Sequence, residues 1–345
     1  MNELDQMLAV LRRMHDWIRQ RVLQACESQS TDELSRIAGH GRGDTIFAID
    51  RISEGELVEF LEREFASRWP LVLVAEGLDE GEVTLPRGTR PTDARWRLIA
   101  DPIDGTRCLM YQKRSGWILT GLAPNRGPQT SLTDILLAVQ SEIPLIKQHL
   151  CDQMWAIRGA GARAERINRF DEHRQPLVLQ PSRAETLRYG YAALSRFFPG
   201  ARDVLAAMDE ELMRRVLGPQ PRGDVIVFED QYPSTGGQIY SLAAGQDRFI
   251  ADLRPLMEPV LAQRGESVGH CCHPYDICTS LIAEELGVQI TAPDGGPLEV
   301  VLDVQQNVGW IAYANAAIRR TVEPALMAIL QSFVDQRHVA PPLIS

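Results

Sequence analysis

Short apolar segments separated by turn-forming residues limit the folds open to this chain. Five of them follow one another between residues 70 and 159, each with the length of a β-strand: "PLVLVAE", "WRLIAD", "GWILTGLA", "DILLAVQ" and "QMWAIRG". They predict a sheet laid against helices. No apolar run reaches the roughly 18 residues of a membrane-spanning helix. The N-terminal segment mixes charges into its apolar positions, unlike a signal peptide. We therefore expect a globular cytoplasmic protein.

Amphipathic segments precede these strands. Apolar residues from Met7 to Leu23 recur at helical spacing and predict a first helix. Ser53 and Glu56 have the spacing of a capping box, which predicts the start of a second helix. The glycine-rich stretch "GHGRGDTIFAID" ahead of it predicts a mobile loop.

The later half of the chain alternates helices with strands. Helices are predicted over "ARDVLAAMDEELMRRVL", "STGGQIYSLAAG" and "PYDICTSLIAEELG" and from about Ala316 onward. Strands are predicted over "VIVFED", "DRFIAD" and "NVGWIAYAN". The polar stretch at 168–177 predicts a boundary between two halves, 1–170 and 171–345.

Charge and cysteine content exclude some classes of protein. A formal net charge of −10 argues against non-specific binding to nucleic acid or to an anionic membrane. An acidic protein that binds phosphates usually needs cations to do so. The chain has six cysteines without a regular spacing, so we expect reduced thiols and no disulfide framework.

The segment "RLIADPIDGTRCLM" places two aspartates at the end of an apolar run. Asp101 directly follows that run, and a turn through Pro102 and Gly105 can aim several oxygens at one point, including those of Asp104 and the Ile103 carbonyl. Two carboxylates held together repel each other and need a shared proton or a cation. Hard oxygen ligands favour magnesium, calcium or manganese over zinc. From these residues alone, a simple turn cap remains the alternative.

The sequence "DPIDGT" resembles the signature of the inositol monophosphatase family. These are lithium-sensitive, magnesium-dependent phosphatases related to fructose-1,6-bisphosphatases and phosphoadenosine phosphatases. Four further segments are similar to the family's segments, in the same order: "GDTIFAIDRISEGELVEFL" with Asp44 and Asp50, "VLVAEG" with Glu76, "MWAIRGAGA", and "PYDICTSLIAEELG" with Asp276. The resemblance runs from about residue 5 to residue 330 and is thin between about 165 and 235. It implies the layered αβαβα sandwich of the sugar phosphatase superfamily, with α+β and α/β character, and a homodimer.

The resemblance also implies a role for each matched residue. Glu76, Asp101 and the Ile103 carbonyl would hold one magnesium ion, and Asp101, Asp104 and Asp276 a second, with a third ion near Glu76. Thr106 and Asp50 would orient the attacking water and relay its proton, and Glu76 belongs to the same catalytic set. The substrate would contact Asp104, Gly105, Thr106, Asp276 and Asp252, the last at the position where relatives bind sugar hydroxyls.

Several positions depart from the family pattern. Gly77 stands where a second glutamate is common, and residues 107–109 replace an asparagine and an aromatic residue. Tyr275 replaces a tryptophan, and residues 279–280 could narrow the approach to the substrate. Within 107–109, Arg107 is expected to point to solvent, with contact to a substrate anion as the alternative. Arg42 is the candidate for the family's basic loop residue.

Residues 253–272 look like an insertion beside the expected substrate pocket. The insertion leads into "HCCH" at 270–273, residue types that zinc favours. Adjacent residues point apart, however, and lack the spacer that lets two cysteines bind one ion. Buried thiols are therefore the prediction here.

Together these features predict a magnesium-dependent phosphatase that acts on a small phosphorylated metabolite, in first place a sugar or inositol monophosphate. An alternative enzyme is a phosphatase for a 3′-phosphonucleotide or a sugar bisphosphate, with Arg107, Lys113 and Arg114 as candidates to bind the second phosphate. A third possibility, suggested by the altered residues, is a metal-binding regulatory protein that has lost turnover.

Overall fold

A computed structural model describes residues 2–35, 37–40, 45–78, 80–219 and 223–339. For 37–40, 45–53 and 334–339 it describes the backbone only. Arg42 and Asp44 therefore lie outside the described residues. Asp50 is described only as part of a helix.

Two sheets contain most of the strands. The N-terminal pair is β1 (Ile37–His40) and β2 (Thr45–Phe47). The larger sheet contains β3 (Leu71–Ala75), β4 (Glu82–Leu85), β5 (Trp96–Asp104), β6 (Gly116–Pro124), β7 (Leu137–Ile143), β8 (Leu150–Ile157), β9 (Ala162–Asn168) and β10 (Arg174–Leu177). The smaller sheet contains β11 (Gly190–Leu194), β12 (Val227–Phe228), β13 (Asp247–Asp252), β14 (Gln289–Thr291) and β15 (Trp310–Tyr313).

The larger sheet has the spatial order β10-β9-β8-β7-β6-β5-β3-β4. Its neighbouring strands run antiparallel except β3 and β5, which are parallel. The smaller sheet has the order β12-β11-β13-β15-β14 and is also mixed. The five strands predicted between residues 70 and 159 are confirmed as β3, β5, β6, β7 and β8.

The helices have the following bounds: α1 (Glu3–Ser28), α2 (Thr31–Leu34), α3 (Ala48–Leu61), α4 (Thr106–Met110), α5 (Arg202–Leu217), α6 (Thr235–Ala243), α7 (Glu258–Gln263), α8 (Pro274–Ile277), α9 (Ser280–Glu285) and α10 (Ala316–Val339). A π-helical turn, Glu62–Ala66, continues α3. Short 3₁₀ segments lie at Pro91–Asp93, Leu132–Asp134 and Arg254–Met257. No helix in the described ranges is both long and apolar enough to cross a membrane.

These elements stack in five layers. Helices α1 and α3 cover one face of the larger sheet, and α6, α8 and α9 lie between the two sheets. Helices α5 and α10 cover the outer face of the smaller sheet. Strand β5 shows why both faces are filled: Leu98 and Ala100 point into the core under α1, and Ile99 points into the core between the sheets. The predicted αβαβα sandwich is confirmed.

Three local predictions differ from the structure. Helix α3 begins at Ala48, so Ser53 lies inside the helix and not at its start. Residues three apart lie on one helix face both in a capping box and in the interior of a helix. The spacing of Ser53 and Glu56 therefore did not locate the start of α3. Part of the predicted glycine-rich loop forms the antiparallel pair β1 and β2. The helix predicted over 274–287 is divided into α8 and α9.

The chain crosses from the larger to the smaller sheet between Leu177 and Gly190. Residues 174–177, within the polar stretch that predicted the boundary, form β10 and pair with β9 at the edge of the larger sheet. The first strand of the smaller sheet is β11. The change of sheet therefore comes after the predicted division at 170/171.

His15 joins α1 to the larger sheet through a buried polar contact. The side chain is fully buried, and its Nδ1 and Nε2 atoms each lie 2.9 Å from a hydroxyl oxygen, of Ser141 and Thr120 respectively. Burial, together with the nearby Arg19 and Arg12, lowers the pKa of His15 to about 3. The imidazole is therefore neutral in the folded protein near neutral pH.

Acidification should destabilise the fold through His15. The unfolded chain takes up a proton near the ordinary pKa of 6.5, and the folded protein does so only near pH 3. The stabilisation from a neutral His15 is therefore lost as the pH falls between these values. From pH 7.5 to pH 5 the free energy of unfolding should drop by about 2 kcal/mol from this residue. In urea unfolding, the free energy of unfolding of His15→Gln should fall by about 2 kcal/mol less over this pH range than that of the parent. Equal decreases in parent and variant would contradict the role given to the neutral His15.

Candidate metal centre

Asp101 and Asp104 point the same way because β5 contains a bulge. Opposite β6, Asp101 pairs with Leu119 and Asp104 with Trp117, so two residues of β5 face one residue of β6. In a regular strand, residues three apart point to opposite faces. The extra residue reverses this alternation and brings both carboxylates to one side of the strand.

Glu76 reaches the same end of the sheet from the neighbouring strand. Strands β3 and β5 are parallel, with Ala75 opposite Ala100. Glu76 and Asp101 therefore leave adjacent strands at equivalent positions, and both line one cavity. The order of the sheet explains why two segments 25 residues apart in the sequence contribute to one site.

Helix α6 anchors Asp104. The Oδ2 atom of Asp104 accepts hydrogen bonds from Ser234 Oγ at 2.7 Å and from the Gly236 backbone N–H at 2.6 Å. Ser234 is the N-cap of α6 and also accepts from the Gly237 N–H. A carboxylate is stabilised at this end of a helix because the first backbone N–H groups point toward it.

Asp276 comes from α8, on the C-terminal side of the chain. Its Oδ2 atom accepts a hydrogen bond of 2.6 Å from the His273 backbone N–H. His273 is the N-cap of α8. Asp276 is the third residue of the helix and completes the capping box with His273. This contact fixes the carboxylate against the end of β5, which α8 packs on.

Asp101, Asp104 and Asp276 form a buried triad. Each offers a carboxylate oxygen within 4.8 Å of the others, and the side chains are almost entirely buried. Burial, and then the charges of Asp276, Asp104 and Glu76, raise the pKa of Asp101 well above its ordinary value. Burial and the charge of Asp276 raise the pKa of Asp104 to about 8. A hard divalent cation would relieve this repulsion, so the donor set fits magnesium or manganese.

Thr106 and Ile103 are held together next to the triad. The Thr106 hydroxyl donates a hydrogen bond of 2.8 Å to the Ile103 carbonyl oxygen, which was predicted to be a metal ligand. The Ile103 N–H in turn donates to Asp101 Oδ1 at 2.9 Å. Thr106, Gly105 and Ile103 all line the cavity that contains the triad.

Asp252, which was predicted to contact the substrate, pairs with Arg254 in the structure. Asp252 ends β13 and is fully buried, and both of its carboxylate oxygens accept hydrogen bonds from Arg254, at 2.8 and 2.6 Å. It therefore has no exposed oxygen to offer a sugar hydroxyl. Arg254, at the start of the predicted insertion, lines the cavity in its place.

The arginine candidates for a second phosphate separate in space. Arg114 forms a two-bond ion pair with Asp230, at 2.6 Å for each bond, and lies with Lys113 at a different cavity. Arg107 lines the cavity of the triad, contrary to the expectation that it points to solvent. Of the three candidates, Arg107 is thus the one placed near the acidic residues.

Other departures from the family pattern have local explanations. Gly77 has a φ of +82°, a backbone conformation in which a glutamate would be strained, and a Cβ there would require the Glu54 side chain to move. Tyr275 is buried and stacks on His273. Cys271 and Cys272 are buried thiols, and within the described residues the triad is the cluster that could hold a metal.

Sequence reasoning missed the residues that hold the triad in place. Ser234 and Gly236 anchor Asp104, and Gln140 on β7 donates to the Gly236 carbonyl at 2.7 Å and accepts from Thr279 at 2.8 Å. A serine followed by two small residues ahead of an apolar helical pattern is the signal that could have revealed the cap at Ser234. No local pattern marks Gln140, because its partners are distant in the sequence.

Gly236→Ala should disturb the site directly. A Cβ at this position would lie 2.7 Å from Leu119 Cδ2 and 3.0 Å from Asp104 Oδ2. We expect the variant to lose about 1–3 kcal/mol of stability through overpacking. We also expect weaker binding of magnesium, measured by calorimetry. Gly55→Ala is the matched control, since a Cβ there meets nothing within 4 Å. Equal magnesium affinity in parent and both variants would contradict the role given to this contact.

No family model matches the sequence, and no curated protein matches it. Solved structures, however, match nearly the whole chain. The extragenic suppressor protein suhB from Bartonella henselae has a TM-score of 0.62 and 17% identity, over 93% of this chain and 98% of that one. Fructose-1,6-bisphosphatase from Leishmania major, in its holo form, has a TM-score of 0.65 and 14% identity, over 94% and 93%. Inositol monophosphate-bound SaIMPase-II has a TM-score of 0.57 and 15% identity, over 96% and 99%.

The chain therefore shares its fold with these structures. Its structural neighbours across the whole chain include inositol monophosphatases, fructose-1,6-bisphosphatases and SuhB proteins. Because the sequence identities lie between 14% and 17% in the three structures compared above, this likeness concerns the fold. The chemistry of the site depends on the residues of this chain.

Proposed function

We propose that the protein hydrolyses a small phosphomonoester in a magnesium-dependent reaction, with a sugar or inositol monophosphate as the first candidate substrate. The observation that carries this proposal is the meeting of Asp101, Asp104 and Asp276 within 4.8 Å at a cavity. Three buried carboxylates without a cation repel one another, and such an arrangement is costly to keep unless a cation binds there. The fold shared with known phosphatases supports the same conclusion.

Each residue has a defined part in this proposal. The triad, Glu76 and the Ile103 carbonyl would hold the magnesium ions. When bound, magnesium neutralises phosphoryl oxygens and lowers the pKa of a water molecule. The Thr106 hydroxyl donates a hydrogen bond to the Ile103 carbonyl, and a hydroxyl oxygen can also accept one, so Thr106 is proposed to orient the attacking water. Asp50 is proposed as the group that takes up the proton.

A phosphatase screen tests the proposal. The protein would be incubated with a panel of phosphorylated metabolites and with 4-nitrophenyl phosphate, in magnesium and in a chelator. We expect phosphate release that requires magnesium and is lost in the chelator. If magnesium binds but no compound is hydrolysed, the alternative of a metal-binding regulatory protein would be favoured.

The remaining predictions belong to the same proposal. Inhibition by lithium at millimolar levels and a homodimeric state are expected from the resemblance to the family. Lithium titration of the turnover rate and light scattering after gel filtration would measure them. The ligand set argues against a protein without turnover, because Thr106 and Glu76 are retained beside the triad.

A further inference from the structure

The cavity of the triad has a second wall with a different chemistry. Besides the acidic residues, it is lined by Phe197, Phe198, Arg107, Arg254 and His270. Phe197 and Phe198 follow β11, and Arg254 and His270 belong to the insertion predicted at 253–272. The part of the substrate that is not the reacting phosphate would therefore meet aromatic rings and guanidinium groups.

Arg254 is held rigidly in this wall. Its Nε and Nη2 atoms donate to the two carboxylate oxygens of Asp252, and Nη1 donates to the His270 carbonyl at 2.9 Å. Its guanidinium carbon lies 4.2 Å from the ring centre of Phe197 and 5.4 Å from that of Phe198. The Arg254 side chain is only 8% exposed, so little conformational freedom remains to be lost when a ligand binds.

The guanidinium still has hydrogen atoms to offer. The three contacts above use Nε–H and one N–H on each terminal nitrogen, which leaves a second N–H on Nη1 and on Nη2. The ion pair of Arg254 is with Asp252 and not with the triad. The triad therefore leaves Arg254 available to the rest of the substrate.

We propose that the Asp252–Arg254 pair selects substrates that carry a second anionic group, a carboxylate or a phosphate, besides the phosphate that is cleaved. A guanidinium can only donate hydrogen bonds, and its pairs with carboxylate and phosphate oxygens are short, charge-assisted and often bidentate. The neighbouring phenylalanine rings make this wall less polar, which strengthens that attraction. Arg107, whose guanidinium carbon lies 5.9 Å from the ring centre of Phe198, adds positive charge to the same wall. This inference rests on the proposed phosphatase function and names its substrate class.

The pair also favours a substrate with a second anion over the sugar and inositol monophosphates named first above, whose other polar groups are neutral hydroxyls. A carboxylate that accepts hydrogen bonds from sugar hydroxyls would need a free oxygen, and both oxygens of Asp252 are occupied. The cavity wall thus offers a donor at the place where a sugar-binding acceptor was predicted. A substrate hydroxyl can accept from Arg254, but it gains less than an anion does.

The test compares ligands that differ by one charge. The non-hydrolysable 4-carboxyphenylphosphonate and 4-carbamoylphenylphosphonate have nearly the same shape, and calorimetry in magnesium measures their affinity without turnover. We expect the parent protein to bind the carboxylate at least about tenfold more tightly. The second comparison tests a phosphate as the second anion and spans a longer distance. It compares a hexose 1,6-bisphosphate with the hexose 1-phosphate as inhibitors of 4-carboxyphenylphosphonate binding. The comparison with the larger preference identifies the second anion.

The variants are chosen so that the protein still folds. Arg254→Gln alone would leave the Asp252 carboxylate buried without a partner, which is strongly destabilising. The double variant Arg254→Gln with Asp252→Asn removes both charges and leaves a shorter polar side chain at 254 next to an asparagine of the same size as Asp252. It should bind the two phosphonates with equal affinity. Arg264→Gln is the matched control, because this exposed arginine of the same insertion pairs with Asp203 outside the cavity.

The outcomes separate the two proposals. Three results would overturn the role of Arg254. The parent binds the two phosphonates with equal affinity, the parent binds neither phosphonate, or the preference survives in the double variant. A preference lost in the double variant, in a protein that hydrolyses none of the phosphomonoesters, would support the anion site and contradict the phosphatase function. Hydrolysis of phenyl phosphate without any preference for a second anion would support the phosphatase function and contradict the anion site.

Discussion

Asp104→Asn is expected to lower magnesium-dependent phosphatase activity by at least about a hundredfold, the scale of a lost electrostatic contact to a transition state. Asparagine keeps the size of aspartate and one oxygen, which can still accept from Ser234 and Gly236. It removes a full charge from a site that requires hard anionic ligands. Steady-state kinetics over a range of magnesium concentrations would measure the loss.

The same variant should be at least as stable as the parent without metal. The pKa of Asp104 is raised from 3.8 to about 8 in the folded protein, so at neutral pH this carboxyl must take up a proton on folding, which costs folding free energy. Asparagine removes that cost. The thermal midpoint should stay level or rise in chelator, and its increase with magnesium should disappear, because a ligand of the folded state stabilises by mass action.

Asp171→Asn serves as the control, since this aspartate accepts a backbone hydrogen bond in an exposed turn. It should change neither activity nor the response to magnesium. If Asp104→Asn unfolds in metal-free buffer, Asp104 is a structural turn residue. If it folds and retains the parent rate, the proposed metal centre is wrong.

Gln140→Met should destabilise the fold by about 2–3 kcal/mol and weaken magnesium binding. Gln140 is fully buried on β7, where it bonds the Gly236 carbonyl and the Thr279 hydroxyl. Methionine has a similar volume but leaves two buried polar groups without this partner. Because Gly236 also anchors Asp104, the loss should reach the metal centre. Urea unfolding and magnesium titration would measure both effects.

A double-mutant cycle with Thr279→Val isolates the contact. Thr279 is also fully buried, so its replacement removes the hydroxyl that Gln140 accepts from. The double variant should lose less stability than the sum of the two single variants, because their contact is removed only once. Strictly additive losses would show that the two residues act independently.

Much of the secondary structure was predictable because its signals are local. The apolar runs of β3, β5, β6, β7 and β8 and the helical spacing of α1 and α5 are readable over a few residues. The ends of elements were less predictable. The start of α3 and the division between α8 and α9 depend on what packs against these helices, which the spacing of Ser53 and Glu56 does not contain.

The candidate site was predictable in its residue types and less so in its geometry. Asp101, Asp104 and Asp276 were named from motifs, and the structure brings them together. Asp252 was named from the family resemblance alone, whereas the partner of a buried carboxylate is decided by the fold, and here that partner is Arg254. Asp50 stays a prediction because its side chain is not described.

The sequence by itself determined which hard metal ligands the chain carries. It also determined that strands end next to these ligands, since both features are properties of adjacent residues. The tertiary structure decided which of them share a cavity. The bulge in β5 turns Asp101 and Asp104 to one side of the strand. Helices α6 and α8 bring Ser234, Gly236 and Asp276 to the same side, although these residues lie more than 100 positions further along the sequence. These contacts join distant segments, and no local pattern of residues specifies them.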